Sequence, residues 1–292
     1  MKIQYQFKTI ILLCTIFQLV STAQVDKNLE VKLTNGTWEI INKSTGALTK
    51  VIGKYDEVDP FVDGAARVRV EKKWGFIDPQ GKEIASPKYD FVYDFNEEMA
   101  DVMLNGKYGF IDKTGKEVVA LKYTAAHSFK EGFAAVGINE KWGFITRDGK
   151  EIVKLKYENI HDFEEGVAEV MHDHKHGLIN KLGKEITPIK YEAVYKQKNT
   201  GLIVVKLNEL FGVADTTNKK VASVKYSDIT DEMTYGMVIV DAKGKKGVVS
   251  KQGKEIVPAK YDSVEVLQEG KVKATLNGET VYFDSTGKKI KS

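Results

Sequence analysis

Cysteine occurs once in the 292 residues, at Cys14, and proline five times. A single cysteine excludes an intramolecular disulfide framework, so the fold has to be held by packing. Scarce proline, with 29% charged and 42% hydrophobic residues, argues against a disordered chain. An excess of one charge is also missing: 44 basic residues face 41 acidic ones. So small an imbalance does not draw a protein to nucleic acid or anionic lipid. There is no phosphate-cradling glycine loop, no nucleophile elbow, no His-Glu-x-x-His and no catalytic cysteine.

The first 23 residues differ from the rest. Lys2 and Lys8 precede an acid-free, largely apolar stretch from Ile10 to Val20, followed by Ser21-Thr22-Ala23. A basic start, a short apolar middle and a small-residue end are the parts of a secretory signal peptide, and the run is short of the roughly 20 residues a spanning helix needs. Residues 1–23 are therefore expected to be a leader and residues 24–292 the mature domain. Leu13 precedes Cys14 where a lipid-attachment site needs a small residue, which argues against anchoring there. Cleavage after Ala23 would leave 42 basic against 41 acidic residues and no cysteine.

What the chain does have is a repeat, and a period of this length decides the fold class. The run Lys73-Trp74-Gly75-Phe76-Ile77-Asp78 returns as Lys107-Tyr108-Gly109-Phe110-Ile111-Asp112 and as Lys141-Trp142-Gly143-Phe144-Ile145, with weaker copies at His176, Phe211 and Lys246. The glycine falls at positions 75, 109, 143, 177, 212 and 247, so successive spacings are 34, 34, 34, 35 and 35. A Lys-Tyr pair keeps the same register, with tyrosine at 55, 89, 123, 157, 191, 226 and 261. A third column is a turn glycine at 46, 81, 115, 149, 183, 253 and 287, with Asn218 in the one missing place. Asparagine is the non-glycine residue most tolerant of positive φ, so this column predicts a left-handed turn.

Each unit reads as strands. Met99 to Leu104 alternates, Asn105-Gly106 is a strong hairpin signal, and Lys107 to Asp112 returns. Lys113 to Lys116 turns the chain into a short strand, Glu117 to Ala120; the segment from Lys122 to Gly132 is either a loop or a fourth short strand. Trp74 and Phe76 point to one face, Gly75 and Ile77 to the other. A three-stranded sheet cannot cover both of its own faces, so each unit needs neighbours. Gly75 and its equivalents would admit an adjoining backbone or ring. Counting from Leu29 to Ile290 gives eight units. The expected fold is all-β, with tandem antiparallel three- to four-stranded meanders stacked as propeller-like blades, or alternatively as an open superhelical array.

These columns resemble the WG-repeat family, named for its Trp-Gly pair; Trp74-Gly75 and Trp142-Gly143 within Lys-Trp-Gly-Phe-Ile are similar to its consensus. The likeness runs from about Asn28 to Ile290 and departs where tryptophan becomes Tyr108, His176, Phe211 or Lys246. The resemblance implies a mainly bacterial repeat, often in secreted or envelope proteins, without established catalytic residues.

Three constellations bear on chemistry. A small polar residue closes one strand of nearly every unit, at Asp78, Asp112, Thr146, Asn180, Asp215, Ser250 and Asp284. Recurrence points to a turn residue bonding its own backbone. His172, His174 and His176 have the i, i+2, i+4 spacing that puts imidazoles on one face of a straight strand, where zinc, copper or nickel could bind, with His161 not far upstream. The repeat alignment instead places Asp173-His174 at a hairpin tip and His176 in the tryptophan column, so no metal residue is assigned. The Lys-Tyr ladder could grip an acidic glycan or an extended peptide; alternatively the tyrosines pack between units under the lysine stems.

No catalytic residue, cofactor or metal is assigned from the sequence. The expectation is a non-enzymatic protein-interaction or scaffold module, periplasmic, secreted or at the cell surface. Its partner is another envelope or extracellular protein, with no nucleic acid and no transmembrane anchor after cleavage. The alternative is carbohydrate or cell-wall binding through the tyrosine and lysine columns.

Overall fold

The computed structural model describes residues 28–197, 202–215, 220–221 and 224–291. The leader, Cys14, Asn218 and the side chain of Asp215 lie outside what is described. Among the described residues no helix is long and apolar enough to cross a membrane.

The chain forms small antiparallel sheets, one per repeat, each a meander in sequence order. The first has three strands, Leu29–Thr34, Thr37–Asn42 and Leu48–Val51. Those that follow have four, as in the third sheet: Phe91–Val92, Met99–Leu104, Lys107–Asp112 and Glu117–Tyr123. With the second, fourth, fifth, sixth, seventh and eighth sheets the expected eight blade-like units are present. The segment left open between loop and strand contains a strand, as short as Ala125–Ala126, that begins the next sheet.

Local chemistry sets these turns. Asn105 and Gly106 have φ of 53° and 71°, the two left-handed residues of a type I′ turn whose twist matches the flanking strands. The turn-glycine column has positive φ throughout its described members, from 69° at Gly46 to 91° at Gly287, as the asparagine substitute foretold.

One boundary differs from the sequence reading. The strand expected to stop at Ala120 runs on to Tyr123. Tyr108 faces Tyr123 but Phe110 faces Val119, so two residues on one strand span four on the other and the fourth strand bulges opposite Gly109. A Cβ built on Gly109 would meet the Val119 carbonyl oxygen at 2.5 Å and the Leu121 nitrogen at 2.9 Å. The glycine of the repeat signature exists because a bulged backbone lies against it. The same shift recurs opposite Gly75, Gly143, Gly177 and Gly247. It also pairs the two columns that are 15 apart in sequence: Trp74 with Tyr89, Trp142 with Tyr157, His176 with Tyr191 and Lys246 with Tyr261. Substituting the tryptophan therefore leaves the register intact.

The second sheet buries both faces, whereas among the strand residues of the first only Ile40 is buried. Phe76 joins a cluster with Tyr89, Phe95, Val102 and Ile111, while adjacent Ile77 joins one with Ile40, Tyr55, Val58 and Val68. Burial of side chains this size contributes about 1.5–3 kcal/mol each, and it is available only because a neighbouring sheet covers each face. The Trp74 ring is itself half-buried against the first of these clusters. The described residues divide into two compact units, one within 28–134 and 147–149, the other within 135–146 and 150–291.

Candidate functional site

Most recurring polar residues already have structural partners. Asp112 Oδ1 accepts from the Thr114 hydroxyl at 2.6 Å and from the backbone N–H groups of Thr114 and Lys116 at 2.9 and 3.1 Å. The Thr114 hydroxyl first, then these amides, hold the Asp112 carboxyl below its ordinary range. Asp78, Asn180 and Asp284 accept the equivalent turn amides, as recurrence implied.

The tyrosine column is inside. Tyr89, Tyr123, Tyr157 and Tyr226 are no more than 1% exposed, and the lysine before each lies in solvent with its ammonium 4.8 to 5.4 Å from the ring centroid. The stems cover the rings and the charges stay hydrated. This corrects the glycan-platform alternative: rings packed between sheets offer no face to a sugar. Tyr55 and Tyr226 donate their hydroxyls to Glu83 and Glu255 of the following unit, at 3.3 and 3.1 Å.

A column that sequence reasoning missed follows each tyrosine. Asp90 Oδ2 accepts the N–H of Asn105 at the hairpin tip, at 2.6 Å, and its other oxygen pairs with Lys73. Asp262 does the same for Asn277 and Lys245, and Glu158 accepts from both Asp173 and His174. The acidic residue after Lys-Tyr was the available signal, but nothing in sequence joins it to a turn 15 residues on.

Packing between sheets also repeats until it breaks. Phe76 meets Phe95 with centroids 4.8 Å apart, Phe110 meets Phe129 at 4.9 Å, and Phe144 meets Phe163 at 4.5 Å. At the junction of the fifth and sixth sheets, inside the second unit, Leu178 stands where Phe144 stands one repeat earlier. Gln197 falls where Phe163 would recur. The Gln197 amide turns away, donating to the Thr230 carbonyl at 3.3 Å. A cavity of about 250 Å³ opens at this junction. Buried Leu178, Val194, Leu202 and Ala214 form its floor; His161, Glu164, Glu165, Tyr195, Lys196 and Lys251 stand exposed around its mouth.

Glu169 lies on the cavity wall, opposite Leu178 in the strand pairing. One of its oxygens is 2.6 Å from His176 Nδ1 and the other 3.3 Å from His161 Nδ1. The hydrogen bond to Glu169 raises the His161 pKa above its usual value, against a smaller opposing effect of burial. Equivalent positions in other sheets hold different groups with different partners. Arg67 pairs with Asp59 at 2.8 Å and Asp94 at 3.1 Å, and Asp101 accepts from the Ser128 hydroxyl at 2.7 Å. A charged residue inside an apolar strand was the signal here; its identity changes from copy to copy, so column-wise reading passed over it.

The candidate histidine face is not assembled. His176 turns inward to Glu169, His174 sits exposed at the hairpin tip 3.4 Å from Glu158, and His172 lies edge-on to Tyr157. The tip reverses the chain between His172 and Lys175, so the straight-strand geometry fails. Among the described residues Glu158, His172 and Asp173 bring ligand atoms within 4.8 Å of one another, but Glu158 is already bonded to the tip amides.

Among known proteins, the family described as WG containing repeat matches residues 51–74, 74–108, 108–142, 142–175, 177–211 and 247–279, well over half of the chain. None of the curated proteins matches. Solved structures with some likeness include a eukaryotic initiation factor, 10% identical with 90% of this chain and 84% of that one covered, at a TM-score of 0.39. BamB from Moraxella catarrhalis is 10% identical over 89% of this chain and 95% of its own, at a TM-score of 0.32. Likeness this low carries no argument about activity. The repeat columns, their bulge-bound glycine and the matched segments agree: this chain belongs to the WG-repeat family.

Proposed function

We propose that this protein is an exported, non-enzymatic interaction or scaffold module of the cell envelope. The observation that carries this reading is the assignment of the recurring acids and tyrosines: they cap turns and fill the space between sheets. A catalytic acid needs one special environment, whereas these groups meet a need that arises once per repeat. The lattice holds loops and one irregular junction in fixed relation within each unit, which suits a binding surface. Export rests on the basic, apolar and small-residue pattern of residues 1–23.

The test combines fractionation with cross-linking. A C-terminally tagged chain is expected in the envelope or medium with a new N-terminus near Gln24, cross-linked to a defined envelope protein that untagged chain displaces. Retention in the cytoplasm with Met1 intact defeats the export part. Tight polysaccharide binding with no captured protein partner defeats the scaffold part.

A further inference from the structure

The cavity at the fifth and sixth sheets lies where the run of phenylalanine pairs ends. Its floor is aliphatic, and its lining carries Asp162, Glu164, Glu165 and Glu169 against Lys196 and Lys251. The lining thus sets four carboxylates against two ammonium groups, one of which, Lys196, is bound to Glu165 at 2.7 Å. At about 250 Å³ the space is somewhat smaller than the usual range for drug-sized ligands. It suits one linear side chain. Because the mouth is charged and open while the floor is dry, the matching shape is an apolar stem ending in a cation.

We propose that this cavity receives a lysine side chain from a partner polypeptide, its methylenes against Leu178, Val194 and Leu202 and its ammonium among the carboxylates of Glu164 and Glu169. This rests on the interaction-module reading and names the chemistry that module recognises. The cavity opens where Leu178 stands in place of the phenylalanine that Phe144 supplies one repeat earlier. The Glu169 carboxyl is held at the wall by its contacts with His176 and His161, 2.6 and 3.3 Å away, before a ligand arrives.

The test uses the full chain and methyl-resolved NMR. N-acetyl-lysine methylamide is expected to give saturable shifts at the Leu178, Val194, Leu202 and Ile203 methyls in the range of about 1–10 mM. The norleucine analogue, with the same stem and no charge, should bind at least about fivefold more weakly, and the glutamate analogue should give no saturable shift. The double variant Glu164→Gln/Glu169→Gln should weaken lysine binding about tenfold. Leu178→Phe restores the repeat's own aromatic and should abolish the shifts. Equal binding of the glutamate analogue, or no methyl shift up to about 50 mM lysine analogue, overturns the proposal. Undiminished capture of the cross-linked envelope partner by Leu178→Phe also overturns the seating of a partner lysine here, while leaving the interaction reading standing. Lysine binding without any captured partner has the opposite meaning: the cavity stands and the scaffold role falls.

Discussion

The Ser128 hydroxyl donates to the carboxylate of Asp101, 2.7 Å away and 1% exposed in the second strand of the third sheet. Burial outweighs that hydrogen bond and pushes the Asp101 pKa up to about 6 from 3.8. The folded state thus holds a proton that the unfolded chain has released between about pH 4 and 6. Stability contributed at this site therefore falls as pH rises through that window and stays low above it. Asp101→Asn keeps an oxygen for Ser128 and removes the ionisation. It is expected to raise stability at pH 8 by roughly 2–3 kcal/mol and to have little effect at pH 4. Urea denaturation at the two pH values checks this, and a variant less stable at pH 8 contradicts it.

Gly109 and Gly106, three residues apart, should respond differently to alanine. At Gly109 the added Cβ meets the bulged backbone of the fourth strand, which cannot yield without undoing the sheet. A loss of about 3 kcal/mol or more is expected. Gly106 has open space around it and a φ of 71°, so alanine there costs only the left-handed conformation, about 1–2 kcal/mol. Denaturation midpoints of the two variants give the comparison.

Asp90 ties a hairpin tip to the strand before it. Lys73 and the Asn105 amide lower its pKa, so this tie is present above the ordinary carboxylate range and weakens as pH falls through the depressed value. In Asp90→Ala the Asn105 amide is expected to exchange with solvent at least about tenfold faster while core amides of the third sheet keep their protection. Hydrogen exchange resolved by residue tests it; unchanged exchange at Asn105 counts against the tie.

Glu169 is the main cause of the raised His161 pKa. Glu169→Gln is therefore expected to lower the His161 pKa towards about 6.5, as followed by NMR titration of its imidazole protons. In the native chain the His161 contribution to stability is fully present below about pH 6.5 and is lost as pH rises through the elevated folded value. An unmoved titration in the glutamine variant removes Glu169 as the cause.

Much of the fold was legible in the residues. The turn glycines, Asn105-Gly106 and the alternation of Met99 to Leu104 declared hairpins because short-range sterics alone fix them. The end of the fourth strand was misread at Ala120, because a bulge is a relation between strands and leaves the bulged segment without alternation of its own. His172, His174 and His176 attracted attention by spacing, whereas the histidines that share a carboxylate are His161 and His176, brought together by strands 15 residues apart.

The sequence by itself determined the period, the strands and the need of every unit for neighbours, since a sheet with apolar side chains on both faces cannot bury them alone. Only the tertiary structure decided which columns meet. The pairing of Trp74 with Tyr89, the bulge over Gly109, and the reach of Asp90 to Asn105 are cross-strand distances that no local propensity encodes. The cavity beside Glu169 was hidden for the same reason: it is a difference between facing volumes, and it exists only once the sheets carrying Leu178 and Gln197 are laid together.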